Sequence, residues 1–248
     1  MMKRIVIVGA TSGIAKECAR LWVKDAAVDL TLVVRDASRA QALAADLQVR
    51  SPLSKIEVLT TDFTNPVAIK DLVEQVYHSR TIDNVLIAHG TLPDQADCEK
   101  DLTLCDETLQ INGVSPCLFA EAFAGVMKNQ GKGNLAIIGS VAGDRGRKSN
   151  YVYGAAKGLV SRYAEGMQHR FANTGLVITL IKPGPTATPM TAKLRANGMK
   201  MAPPDLVAKE IVEGIAKGKS LIYTPKKWQI IMLIIRHLPS VIFNKLNI

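Results

Sequence analysis

Seven short apolar runs punctuate the chain, and longer mixed stretches separate them. They read RIVIVGA, DLTLVVR, IEVLTTD, NVLIAHG, NLAIIGS, LVITLIKPG and SLIYTP, beginning at Arg4, Asp29, Ile56, Asn84, Asn134, Leu176 and Ser220. Runs this continuous in apolar and β-branched residues mark strands covered on both faces. The stretches between them, such as 15–24 and 38–47, are long enough for crossover helices. The alternation predicts an α/β fold, a Rossmann-type doubly wound parallel sheet of about seven strands flanked by helices. No linker rich in Pro, Gly or Ser and no internal repeat interrupts it. One domain over 1–248 is expected, with 225–248 as an apolar C-terminal extension.

Composition narrows the classes of function. With 248 residues and nearly half of them apolar, the chain can bury a substantial core. The formal charge of +9 comes from scattered Lys and Arg, without a helix-turn-helix or zinc-finger pattern. Nucleic acid is not an expected partner. A solvated basic surface, or attraction to phosphates or an anionic membrane face, accounts for the charge. Cys18, Cys98, Cys105 and Cys117 lack paired C-x-x-C spacing, so reduced thiols with neither metal nor disulfide are expected. The N-terminus runs straight into a strand-like segment without a signal-peptide cleavage site, and no apolar run is long enough to span a bilayer. A cytoplasmic protein is expected.

The first run leads into GATSGIA, Gly9 to Ala15, ahead of a helical stretch. A glycine turn lets backbone approach a pyrophosphate, and the helix N-terminus behind it offers free N–H groups and partial positive charge. Gly9 and Gly13 fit that purpose, and Ala15 keeps the third position small. At the end of the second run, Val34 and Arg35 stand where an acidic residue would bind the ribose hydroxyls of NAD. The Arg35 guanidinium suits the 2′-phosphate of NADP, which favours NADP(H), while Asp36 leaves NAD(H) open. Asp62 after the third run can accept from an adenine amino group, although this loop also serves as a helix cap through Thr64 or Asn65.

In SNYVYGAAK, 149–157, two tyrosines compete for chemistry. Tyr153 and Lys157 are four apart and share a helical face; Tyr151 and Lys157 do not. A nearby ammonium favours the phenolate and lowers a phenol's pKa from ~10 toward the working range, so Tyr153 is the expected acid. Ser140 ends the fifth run, at the sheet edge where ligands bind, and can steady a carbonyl oxygen.

Taken with Asn112 in LQINGVSP and with KPGPTAT, these motifs resemble the short-chain dehydrogenase/reductase family over residues 3–224. The resemblance implies that Ser140 positions a carbonyl, Tyr153 exchanges the proton, Lys157 holds the nicotinamide ribose and Asn112 supports a water relay to the lysine. It implies cofactor contacts at Gly9, Thr11, Ser12, Gly13 and Ile14, then at Arg35, Asp62, Phe63 and Gly90. Pro183, Gly184, Thr186 and Thr188 would frame the nicotinamide end. The family's usual Asn-Asn-Ala-Gly is here Ile87, Ala88, His89, Gly90, so the amide contacts expected there must be absent or replaced. A packed, hydrogen-bonded His89 is expected. The resemblance also implies a small-molecule ketone substrate and an assembly of identical subunits.

Beyond Thr224 the chain continues as PKKWQIIMLIIRHLPSVIFNKLNI. From 228 to 235 every residue except Gln229 is apolar, so a helix here needs burial on several sides, and Pro239 ends it. Closure over the cleft, a subunit interface and insertion at the inner face of a membrane are the three uses considered, the last because Lys226, Lys227, Arg236, His237 and Lys245 flank the apolar patches. RHLPSVIFNKL, with GTLPDQ at 90–95, is similar to reductases of polyprenyl-phosphate-linked 2-keto-pentoses. That likeness implies a lipid-linked ketone and a flavin-dependent oxidase as partner.

Overall fold

The computed structural model describes residues 2–246. All seven apolar runs are strands of one parallel sheet, in the order β3-β2-β1-β4-β5-β6-β7. In chain order, β1 (Lys3–Val8), α1 (Gly13–Asp25), β2 (Val28–Val34), α2 (Ala37–Arg50), β3 (Lys55–Thr60) and α3 (Pro66–Ser79) build one half. After β4 (Asn84–Ile87) come α4 (Gln95–Lys100), α5 (Leu102–Leu109) and α6 (Ser115–Gln130). The second half continues with β5 (Gly133–Ile138), α7 (Tyr151–Phe171), β6 (Leu176–Pro183), the short α8 (Ala192–Ala196), α9 (Pro204–Ala216) and β7 (Leu221–Thr224). Two tail helices follow, α10 (Lys227–His237) and α11 (Ser240–Phe243).

Strand pleating divides the core into two layers. Val6 and Val8 of β1 face a cluster with Phe63, Phe119, Phe123 and Val160, while Ile5 and Ile7 face one with Trp22, Leu30, Leu47 and Ile211. Helix α1 buries Ala15, Cys18, Ala19, Trp22 and Val23, the i, i+3, i+4, i+7, i+8 stripe of a helix laid on a sheet. Helix starts follow local chemistry. Ser12 Oγ accepts from Ala15 N–H, Asp36 Oδ1 from Ser38 N–H, and Asn65 Oδ1 from Val67 and Ala68 ahead of Pro66. Chain direction across the sheet reverses between β1 and β4, which opens a crevice at the carboxyl ends of the strands.

The tail departs from the expectation. On α10 only Met232 is fully buried, against Val141 and Tyr223, with Trp228 and Ile235 partly covered. Ile230, Leu233 and Ile234 are more than half exposed. The run is apolar except at Gln229, yet the described residues cover one side of it. A periodicity argument assumes that the surrounding chain supplies cover all round, and among the described residues Ile230, Leu233 and Ile234 on the outer face stay exposed.

Candidate functional site

A cleft of about 810 Å³ opens at the carboxyl edge of the sheet, within the range of small-molecule sites. One end is built by the first turn. Gly9 has φ +77°, and a Cβ there would sit 2.6 Å from Cβ of His89, so both conformation and space require glycine. Gly13 meets Thr188, joining this turn to the loop after β6. Thr11, Ser12, Gly13 and Ile14 line the cleft. So do three cations, Lys16, Arg35 and Arg39, none with a carboxylate within ion-pair distance among the described residues. Asp36, the acidic neighbour, spends its carboxylate on Ser38 N–H and Oγ as the cap of α2, and those bonds hold it below the usual carboxylate range.

Asp62 is the predicted residue that the structure leaves outside the cleft lining. Its Oδ1 accepts from Thr64 N–H and Oγ in an exposed turn, and these bonds lower its pKa. Phe63 lines the cleft from a fully buried position. The altered IAHG segment is filled rather than empty. Ser115 Oγ donates to the Phe63 carbonyl at 2.5 Å, so its oxygen accepts from His89 Nε2–H at 2.9 Å. The imidazole packs edge-on to Phe63 and Phe119, and burial drops its pKa to about 3. It stays neutral. Its Nδ1 is buried and has no partner among the described residues.

The other end carries Ser140, Tyr153, Lys157 and Asn112, all lining the same cleft. Ser140 follows β5, and its Oγ accepts from Ala142 N–H at 3.1 Å. Tyr153 and Lys157 stand on the first turns of α7. Tyr151 is 46% exposed and lies outside the cleft. Lys157 Nζ is 5.9 Å from the Tyr153 ring centroid and donates to the Ile138 carbonyl at 3.1 Å. The spacing predicts a phenol drawn down by this ammonium, but burial dominates. The Tyr153 pKa is raised, against a hydrogen bond from Ser140 that lowers it. Burial also brings Lys157 down to about 8. A neutral phenol is the form that donates a proton.

Asn112 sits in a π-turn, Gln110–Val114, between α5 and α6. Its Oδ1 accepts from Thr91 N–H and its Nδ2 donates to the Thr108 carbonyl. A Cβ at Gly90 would come within 2.6 Å of that Oδ1 and 3.7 Å of Lys157 Nζ. Gly90 therefore leaves room for asparagine and lysine to approach.

The walls come from two loops, with Leu92, Pro93, Asp94 and Gln95 on one side and 186–199 on the other. An ion pair between Asp94 and Lys193 bridges them. Gln95 does more. Its Oε1 accepts from Val152 N–H at 3.1 Å, across 57 residues, at a helix start where Asn150 makes no side-chain cap. Pro183, Gly184, Thr186 and Thr188 close the base; Thr186 Oγ donates to the Gly184 carbonyl, and Trp228 of α10 packs against Gly184 from behind. The tail supports this loop without lining the cleft.

Three features were not read from the sequence. Lys16 and Arg39 lie in the first turns of α1 and α2, while Arg35 precedes α2 in the turn after β2, so no helical spacing links the three in the sequence. Asp144 binds Lys182 Nζ at 2.5 Å and accepts from Tyr223 O–H at 2.7 Å, fixing the loop after Ser140 to β6 and β7. No local pattern announces it. Among the described residues no group of His, Cys, Asp or Glu side chains is arranged to hold a metal ion.

The short chain dehydrogenase family pattern matches residues 3–198. An uncharacterized oxidoreductase of Mycobacterium tuberculosis is 28% identical over 247 residues, spanning 98% of this chain and 96% of that one. A short-chain dehydrogenase from Sphingobium yanoikuyae in complex with NADPH shares the fold with a TM-score of 0.83, at 21% identity, over 96% of this chain and 97% of that one. A variant of the actinorhodin polyketide ketoreductase with NADPH gives 0.79 at 20% identity, over 90% and 97%. The chain belongs to the short-chain dehydrogenase family of oxidoreductases.

Proposed function

We propose that this oxidoreductase reduces a ketone to a secondary alcohol with NADPH, and that Tyr153 donates the proton. The observation that carries the reading is the joint placement of Ser140, Tyr153 and Lys157 in one cleft with an unpaired cationic end. The residues fit the cofactor. The Gly9 turn admits no side chain, the N-terminus of α1 faces the same cleft, and Arg35 with Lys16 and Arg39 suits a 2′-phosphate. Two fold neighbours are structures with NADPH. When bound, NADPH supplies the hydride.

The protein's share is binding, orientation and proton transfer. Ser140 Oγ and Tyr153 O–H converge on a carbonyl oxygen, where they hold the charge that develops as the carbonyl is reduced. Tyr153, kept neutral by burial, gives its proton to that oxygen. Lys157, close to its own pKa of about 8, holds the ribose hydroxyls and supplies charge when the phenolate forms. Asn112 positions the Thr91 backbone beside it.

For the substrate, a polyprenyl-phosphate-linked 2-keto-pentose is the reading favoured by the outward stripe of α10. Ile230, Leu233 and Ile234 with Lys226 and Lys227 beside them suit a tail lying on an anionic membrane surface, with the chain otherwise in the cytoplasm and a flavin-dependent oxidase supplying the ketone. The described helices include none long and apolar enough to cross a membrane.

The test is NADPH and NADH oxidation with the lipid-linked keto-pentose beside a panel of soluble ketones. Turnover of the lipid-linked ketone supports the narrow reading; turnover of soluble ketones alone removes it and keeps the reductase. No turnover of any ketone with either cofactor would overturn the reading. Arg35→Ser should lower the NADPH-to-NADH ratio of kcat/KM by about 10- to 100-fold. An unchanged ratio would take the 2′-phosphate away from Arg35.

A further inference from the structure

Resting on the reductase reading, we propose that Arg147 is the substrate-anion residue, and that the natural ketone carries a phosphate or similar anionic group at the Tyr153 end of the cleft. Arg147 lies between Ser140 and Tyr153 in sequence and lines the cleft with Ser149 and Asn150. Its guanidinium is partly buried and poorly satisfied. Nη2 donates to Met232 Sδ at 3.5 Å, a weak acceptor, and Nε is buried with no partner among the described residues. Burial lowers its pKa, which a bare surface arginine would not experience.

The nearest carboxylate is already used. Asp144 acts on Arg147 electrostatically, but one of its oxygens binds Lys182 Nζ and the other accepts from Tyr223 O–H. Arg145, two residues earlier, shows the contrast. Its Nη1 donates to the Ile235 and Leu238 carbonyls at 2.6 Å each, and its guanidinium lies over the Phe243 ring. Arg145 holds the tail. Arg147 keeps donors in reserve in the cleft that also holds Tyr153.

A partly buried cation whose nearest carboxylate is committed to other groups is costly, and a cleft that keeps one is suited to an anion. The cations Lys16, Arg35 and Arg39 occupy the first-turn end of the cleft, so the cofactor does not account for this one. Asn150 Oδ1, in the same turn, is also buried and has no partner among the described residues, an acceptor suited to a substrate hydroxyl. Together they describe a hydroxylated ketone with an anionic substituent.

The test measures inhibition of a neutral ketone's reduction by methyl phosphate and decyl phosphate, with decanol as control, in the full chain and in Arg147→Gln and Arg147→Lys. Phosphate esters should compete with the ketone rather than with NADPH. Arg147→Gln should raise their Ki relative to the ketone's KM by about 10- to 100-fold, and lysine should recover part of it. Tighter binding of decyl than methyl phosphate identifies a lipid phosphate; equal binding identifies a soluble phosphorylated ketone. A ratio unchanged by Arg147→Gln, or competition with NADPH alone, would overturn the proposal. If no ketone in the panel is reduced, the reductase reading has failed, and calorimetric titration of the same phosphates into the parent chain and Arg147→Gln decides the anion site by itself.

Discussion

Tyr153→Phe should lower ketone turnover by about 10³-fold while the Kd for NADPH stays within about threefold. The phenol oxygen is removed and the ring stays, so the packing of α7 is kept. Tyr151→Phe is the matched control. Tyr151 is exposed and outside the cleft, so its loss should leave turnover within about threefold of the parent. Stopped-flow measurement of NADPH oxidation, with fluorescence titration of the cofactor, separates the two quantities. Retained turnover in Tyr153→Phe would place the proton donor elsewhere, and an equal loss in both variants would point to damage to the helix.

Asp144→Ala should be the most damaging single change to stability. Asp144 and Lys182 side chains are 2% and 5% exposed, and removal of the carboxylate leaves a buried ammonium without a counter-charge. Breaking such a pair on one side costs about 3–5 kcal/mol. For a chain of this size that lowers Tm by roughly 6–20 °C. The double change Asp144→Leu with Lys182→Met should recover most of the loss, because apolar replacement of both partners removes the uncompensated charge. Thermal unfolding followed by circular dichroism checks both. A drop below about 1 kcal/mol would mean that water reaches the Lys182 ammonium.

Much of the fold is written locally. Each of the seven strands matches an apolar run to within one residue at its start, and Ser12, Asp36 and Asn65 mark helix starts by their own side-chain chemistry. Tyr153 and Lys157 were legible for the same reason, since four-residue spacing fixes a shared face before any tertiary contact exists. The rest depends on distant partners. The Asp144–Lys182–Tyr223 network joins residues 38 and 79 positions apart, and His89 is neutral because Ser115, Phe63 and Phe119 enclose it. The pKa of Tyr153 departs from the spacing's prediction for the same reason. Spacing reports its neighbour on the helix, whereas burial by the rest of the chain sets its pKa. The outer face of α10 marks the opposite limit, an apolar pattern that stays exposed among the described residues.

The bond from Val152 N–H to Gln95 Oε1 bears on protein engineering. Helix α7 does not begin under its own power; it borrows a cap from the loop that shapes the substrate wall. A recognition loop transplanted from a relative would bring its own length and leave the helix that presents Tyr153 without that acceptor. Loop and helix start therefore form one interchangeable part, and chimaeras that swap 91–101 should carry 149–157 with them.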